Sequence, residues 1–147
     1  MNKDILYILE NLREEDKYEL CLHSGKNWKK KTLDKLKMAQ VIILKDRNEV
    51  PFAMGGIEGK NEVACVWLLT TQKVEENKLK LFKMIKSQLS LNSSRYSIYF
   101  NYICERNKLA KNWLVKLGFN FDNPKPKNLS VKKGFEFFYR VNKRKGK

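Results

Sequence analysis

The chain is poor in the residues from which many catalytic and metal centres are built. Its 147 residues hold one histidine, three cysteines, seven glycines and three prolines. A single histidine, His23, gives little scope for a histidine metal site or a serine–histidine triad, and it reads as a surface or interface residue. Cys21, Cys65 and Cys104 are odd in number, lack metal-ligand spacing and sit among apolar neighbours. They read as buried free thiols, and no metal is expected. No run approaches the ~18 apolar residues of a membrane-spanning helix, and the start of the chain lacks the apolar core of a signal peptide. The expectation is a soluble, cytoplasmic protein with no membrane partner.

Acidic residues are also scarce. Sixteen face 31 basic ones, for a net charge of +15. Such a balance attracts anions: nucleic acid, the phosphates of a cofactor, or an acidic protein. The basic set is 25 Lys and only 6 Arg, while Asn is abundant and Ala scarce. That bias fits an AT-rich genome as well as it fits a binding site, because bidentate phosphate recognition favours Arg. No DNA or RNA motif accompanies the charge, so nucleic acid as a partner rests on charge alone.

What is present is a core. With 42% apolar residues the chain supports one domain, residues 1–141, and a basic tail, 142–147, expected to be disordered. Ile5, Ile8, Leu9 and Leu12 recur at helical spacing behind a candidate N-cap, Asp4. A second helix follows through Tyr18, Cys21 and Leu22 and stops at Gly25, and a third is expected to be capped at Thr32. The period then changes to two. "QVIILKDRNEVPFAMGGI" reads as strand, turn at Asp46 to Glu49, strand. After a second turn at Gly59 to Asn61, "EVACVWLLT" is apolar on both faces, so it is expected to be a central strand with Trp67 buried. A helix over Glu76 to Leu91, with Leu79, Phe82, Met84, Ile85 and Leu89 on its apolar face, leads to the strand "SIYFNYI". The helix "NKLAKNWLVKLGF" ends at Gly118, where a positive φ is expected. A loop, "NPKPKNLSVKK", precedes the last strand, "GFEFFYRV". Strands joined through helices are expected to pair in parallel by right-handed crossovers.

Several of these segments resemble the GNAT acyltransferase superfamily from the third helix onward. "ERNKLAKNWLVKLGF" places Asn107, Ala110 and Leu117-Gly118-Phe119 where that family has an Asn opening its fourth helix, a small residue three later, and a Leu-Gly-Phe ending. "PFAMGGI" resembles its glycine-bearing strand, where Gly55 and Gly56 let chains approach closely. A closer resemblance, through "ENLREEDKYEL", "P-x-A-x-GG" and "N-Y-I", is to small GNAT-like proteins of short-tailed phages. The resemblance implies a single α/β domain with a mixed, mostly antiparallel central sheet, helices on both faces, and a first family strand that is short or missing. It also implies acetyl-CoA or another acyl-CoA as cofactor, an amine as substrate, and, for a phage protein, the host cytoplasm as its location. The pantetheine arm would lie along the backbone of Val66, Leu68 and Leu69. The diphosphate would sit on the turn and helix start from Thr71 through Gln72 and Lys73 to Lys78, and Asn107 would hydrogen-bond the pantetheine.

Two departures stand against a standard family site. The family turn carries glycines that fold the backbone round phosphate, whereas "TTQKVEENK" has Glu75 and Asn77 in their places. The tyrosine that protonates the leaving thiolate in many members is replaced by Leu114, beside Trp113, and both read as core packing. Glu58, Glu62 and Glu105 are the carboxylates near strand ends that could serve as a general base, with Glu58 and Glu105 carried forward. Two functions therefore stand: acyl transfer from acyl-CoA to an amine through an altered cofactor turn, or a non-catalytic phage structural, virion-assembly or host-interaction protein built on the same fold.

Overall fold

Asn2, two residues ahead of the expected Asp4, caps the first helix. Its backbone is extended, and its side-chain oxygen accepts from the N–H groups of Asp4 (2.8 Å) and Ile5 (3.4 Å). Asp4 instead lies in the first turn, where a carboxylate complements the helix dipole. The computed structural model describes residues 2–121 and 134–142. The loop expected at 123–133 and residues 143–147 of the tail expected at 142–147 lie outside the described residues; Asn142, the first tail residue, is buried and donates to the Tyr96 and Ser97 carbonyls.

The elements run α1 (Lys3–Glu10), α2 (Glu14–Ser24), α3 (Trp28–Leu36), β1 (Ile42–Lys45), β2 (Pro51–Lys60), β3 (Val63–Thr70), α4 (Lys78–Asn92), β4 (Ile98–Cys104), α5 (Lys108–Lys116) and β5 (Phe135–Val141). The strands form one five-stranded mixed sheet in the order β1-β2-β3-β4-β5, so β3 is central as its two-sided apolarity predicts. No strand precedes β1 among the described residues; Leu12 makes only an isolated bridge to Thr71. Contacts divide the chain into two compact units, Met1–Glu58 with Trp67–Met84, and Gly59–Val66 with Ile85–Lys147.

In the first unit, the helical spacing of α1 brings Ile8, Leu9 and the following Leu12 into a core with Leu36, Met54 and Leu69. Gly55 and Gly56 do allow a close approach. A Cβ on Gly55 would stand 2.7 Å from the Trp67 carbonyl oxygen, and one on Gly56 would stand 2.8 Å from the Trp67 indole nitrogen. Trp67 is therefore laid across the glycine pair and is only half-buried, not enclosed as its central strand suggests. α3 begins at Trp28 after a short 3-10 turn at Gly25–Asn27. Thr32 does not cap it: the hydroxyl lies within the helix and donates to the Trp28 carbonyl at 2.7 Å.

In the second unit, β3 pairs in parallel with β4 from Val63↔Ile98 to Cys65↔Phe100, as a crossover through α4 predicts. β4 and β5 pair antiparallel, against the expectation of a second parallel crossover. The reason lies beyond α5. Asn120 exchanges both backbone hydrogen bonds with Tyr139 (2.8 and 3.0 Å), so a vestige of the crossover strand flanks β5 on its outer edge. β5 then occupies the place between that vestige and β4. Gly118 takes φ +91°, releasing the chain from α5.

The buried positions of α4 are Leu81 and Leu89, whereas Leu79, expected on the apolar face, is exposed. Among the expected buried thiols, Cys104 is buried while Cys21 and Cys65 are half-buried, and none of the three is in a disulfide with another described residue. His23 is exposed, with Nδ1 3.1 Å from the Ser24 hydroxyl.

Candidate functional site

The turn after β3 belongs to the first unit and is built as a 3-10 helix over Gln72–Glu76. Buried Val74 anchors it. The Thr71 hydroxyl accepts from Lys73 N–H (3.2 Å), the Thr71 carbonyl from Val74 N–H (3.1 Å), and the Val74 carbonyl from Asn77 N–H (3.0 Å). The Asn77 side chain donates back to the Lys73 carbonyl at 2.9 Å. A phosphate cradle requires N–H groups that converge on an empty point. Here three of them are closed onto the turn itself.

The cations of the turn are engaged as well. Lys78 pairs with Glu75 at 2.9 Å, Lys73 with Asp46 at 3.5 Å, and Lys80 donates to the Lys45 carbonyl. Asp46 is held below the usual carboxylate value, first by the backbone N–H of Val50 and then by that of Asn48, with Lys73 adding to the effect. Gln72 and Glu76 face solvent. The residues of this turn do not fit a diphosphate, and the reason is the one the sequence gives: without glycine the chain closes into a 3-10 turn.

Sequence reasoning missed the network behind this turn. The Asp16 carboxylate accepts from the Thr70 N–H (3.0 Å) and hydroxyl (2.6 Å), and its other oxygen stands 3.5 Å from the Arg13 guanidinium. All three residues are buried. Burial pushes the Asp16 carboxyl above its usual value, while Arg13 and the Thr70 bonds pull the other way. With Arg13 N–H donating to the Thr70 carbonyl (2.9 Å), the start of α2 is tied to the last residue of β3. The signal was available. In "REED" only Asp16 stands four residues before Leu20 on the same helix, so it shares the inward face of Leu20.

In the second unit, the parallel pairing stops after Cys65↔Phe100. At the next step the Val66 carbonyl accepts from the Asn101 side-chain amide at 2.7 Å, and Asn101 Oδ1 accepts from the Tyr102 N–H at 2.7 Å. A side chain here replaces the ladder, which marks where β4 leaves β3. Asn107 is buried at the start of α5, and its side-chain oxygen accepts from Ala110 N–H at 3.4 Å, the N-cap geometry expected. Trp113 and Leu114 are half-buried in α5.

The sequence-derived site residues thus fall into two groups. Thr71, Gln72, Lys73 and Lys78 come together on the turn in the first unit, at the end of β3, whose Leu68 is half-buried and whose Leu69 side chain is in the core. Val66 and Asn107 belong to the second unit. Glu58, Glu62 and Glu105 are all exposed. Among the described residues no group of carboxylates, cysteines and histidine is arranged to hold a metal, and no helix is long and apolar enough to cross a membrane.

No family model matches the chain, and no curated protein matches it. Solved structures do. The chain is similar to the ribosomal-protein-S18-alanine N-acetyltransferase from Escherichia coli, with 11% identity and a TM-score of 0.64 over 98% of this chain and 89% of that one. It is similar to Tetrahymena GCN5, with 11% identity and a TM-score of 0.65 over 97% and 91%. It is also similar to a spermidine N-acetyltransferase SpeG chimera from Vibrio cholerae and hSSAT, with 12% identity and a TM-score of 0.58 over 94% and 89%. The chain has the fold of the GNAT N-acetyltransferases.

Proposed function

We propose that the chain is an N-acyltransferase whose acyl donor, an acyl-CoA, is held mainly by its pantetheine arm and only weakly by its diphosphate. The observation that carries this reading is the parting of β3 from β4 after Cys65↔Phe100, in a fold shared with N-acetyltransferases. The backbone of Val66 supplies a strand-like hydrogen bond to the arm, and Asn107 of the same unit adds a side-chain bond. The Asn101 amide must leave the Val66 carbonyl for the arm to bond there. The class of reaction forms a C–N bond to the amine and breaks the C–S bond of a thioester. Because Glu58 and Glu105 are exposed, we assign the amine proton to solvent and not to either carboxylate.

The closed turn sets the test. Titration calorimetry with acetyl-CoA and with S-acetyl-pantetheine, which lacks the diphosphate, should give affinities within about tenfold, since a closed turn leaves the diphosphate no more than one ordinary hydrogen bond, about 0.5–1.5 kcal/mol. Absence of heat at millimolar acetyl-CoA overturns the reading. The alternative we propose is a role without turnover, in phage particle assembly or on a host protein in the cytoplasm of the host; the closed turn speaks only for the missing turnover. Absence of the protein from particles and from every assembly intermediate would count against that role.

A further inference from the structure

The ladder between β3 and β4 breaks at one identifiable bond. In a strand, alternate residues turn their backbone groups to alternate neighbours. The pairs Val63↔Ile98 and Cys65↔Phe100 set the step, and the Ile98 N–H meets the Glu62 carbonyl at 3.3 Å. Carried on by the same register, the rung after Cys65↔Phe100 would join the Tyr102 N–H to the Val66 carbonyl. A side chain occupies that rung instead. The Asn101 amide nitrogen donates to the Val66 carbonyl at 2.7 Å, and the Asn101 amide oxygen accepts from the Tyr102 N–H at 2.7 Å. One primary amide is thus inserted between the two groups, its donor towards β3 and its acceptor towards β4, as a peptide unit of an extra strand would be.

The inserted amide answers a need of the backbone. Without it the Val66 carbonyl and the Tyr102 N–H would both lose their partner, and backbone groups are rarely left so. β4 cannot close the rung by moving across alone. On its other side it stays in register with β5 through Tyr102↔Phe137 to Cys104↔Phe135, and those pairs would have to shift with it. Val66, Asn101 and Tyr102 are all half-buried, so the rung is not sealed inside the core.

We propose that the rung between the Val66 carbonyl and the Tyr102 N–H is a binding slot for one secondary amide of an extended ligand, and that the Asn101 side chain is its built-in competitor. A ligand that displaces Asn101 has to return both bonds, an N–H to Val66 and a C=O to Tyr102. One secondary amide in an extended chain offers both. An ester or a carboxylate offers only the acceptor, and an ammonium only the donor. The inference rests on the acyltransferase reading for its probe, since the pantetheine arm carries secondary amides, and it deepens that reading by adding a contact from β4. Asn101 lowers the apparent affinity by the fraction of molecules in which it holds the slot, so it sets the affinity without touching the bound ligand.

The experiment uses the whole chain, S-acetyl-pantetheine as probe and two variants. Asn101→Ala removes both halves of the competitor. Asn101→Asp keeps an acceptor for the Tyr102 N–H and loses the donor to Val66, and it decides the matter alone if Asn101→Ala does not fold. Calorimetry should show S-acetyl-pantetheine binding about tenfold tighter to Asn101→Ala and about threefold tighter to Asn101→Asp than to the wild type. Amide hydrogen exchange gives a second readout. The Tyr102 N–H should exchange about tenfold faster in unliganded Asn101→Ala than in the wild type, and S-acetyl-pantetheine should restore its protection. Equal or weaker binding in the variants, or absence of binding to all three proteins, overturns the proposal. So does a Tyr102 N–H as protected in unliganded Asn101→Ala as in the wild type, because β3 and β4 would then have zipped together. Acetyl transfer from acetyl-CoA to amines, assayed in parallel, separates the two readings. Tighter binding in the variants with no transfer by any of the three proteins keeps the slot and removes the acyl transfer. Transfer with equal affinity in all three keeps the acyl transfer and removes the slot.

Discussion

Removing the Asp16 carboxylate should cost more stability than removing any exposed acid in this chain. The perturbation is Asp16→Ala. In the wild type the carboxylate accepts two hydrogen bonds from Thr70 and faces the Arg13 guanidinium at 3.5 Å, and Arg13 is 4% exposed. The variant strands two Thr70 donors, about 1–3 kcal/mol for a buried unpaired group. Arg13 keeps Glu15 at 3.2 Å, so the loss from its side stays below the about 3–5 kcal/mol of a buried pair broken outright. The two overlap, so about 3 kcal/mol is expected, a large share of a typical domain stability of about 5–15 kcal/mol. Asp16→Asn keeps an acceptor for Thr70 and should cost roughly half as much. Urea unfolding at pH 7 reads both, with the slope unchanged. The pH dependence adds a sign. The folded carboxyl titrates above its ordinary value of 3.8, so between the two values the folded state holds the extra proton. This group's contribution therefore falls as pH rises through its folded value and is recovered on acidification. Asp16→Asn cannot titrate, so the gap between it and the wild type should widen as pH drops towards 4. A loss under 1 kcal/mol in Asp16→Ala, or a gap that narrows in acid, would refute this account of the network.

Three further outcomes are expected. Gly59→Ala should lose about 1–3 kcal/mol by thermal unfolding, since the added methyl runs into the ring of Tyr96, itself only 8% exposed. Asn107→Ala should lose about 1 kcal/mol through its cap to Ala110, whereas Asn107→Asp should keep the cap and weaken acetyl-CoA in calorimetry by about tenfold; equal affinity ends the cofactor role of this residue. Tyr99, whose hydroxyl donates to the Leu89 carbonyl, is pushed by burial up to about 12. Wild-type stability should therefore fall between pH 10 and 12 as the unfolded phenol ionises first, and Tyr99→Phe should lack that part of the alkaline limb while losing about 1 kcal/mol at neutral pH.

The parts of the fold that were legible were those set by period and by backbone-specific residues. Ile8, Leu9 and Leu12 reached the core because their spacing leaves no other face for them, and Gly118 took a positive φ because a helix end followed by Phe119 asks for it. The central place of β3 followed from its two apolar faces. What was not legible depended on competition between neighbours. Asn2 and Asp4 are both good caps, and because the helix begins at Lys3 the role falls to Asn2. The antiparallel β5 turned on a single bridge at Asn120, too short to leave a pattern. The inward acid, Asp16, was hidden among three acids at a helix start, where the dipole explains any one of them equally well. Of the candidate site, the departure at the turn was visible as missing glycine. The reason it matters, N–H groups closed into a 3-10 turn, needed coordinates.

That closed turn also decides what the +15 charge can do for an anionic ligand. A lysine contributes to a phosphate site when its ammonium is free to lose water against the phosphate. Lys73, Lys78 and Lys80 already hold Asp46, Glu75 and the Lys45 carbonyl. Exchanging those partners for a phosphate returns only the difference between two ion pairs, which at a surface is small. The remaining effect of the charge is long-range: it raises the rate at which an anion arrives, and salt screens it beyond about 8–10 Å. Acetyl-CoA should therefore associate more slowly as salt is raised from 20 to about 300 mM while its dissociation rate hardly moves. S-acetyl-pantetheine, which is uncharged, should show neither change. Stopped-flow measurement of the two donors separates the rates directly. A dissociation rate of acetyl-CoA that climbs with salt as steeply as its association rate falls would place a lysine in direct contact with phosphate, and would show that the turn opens.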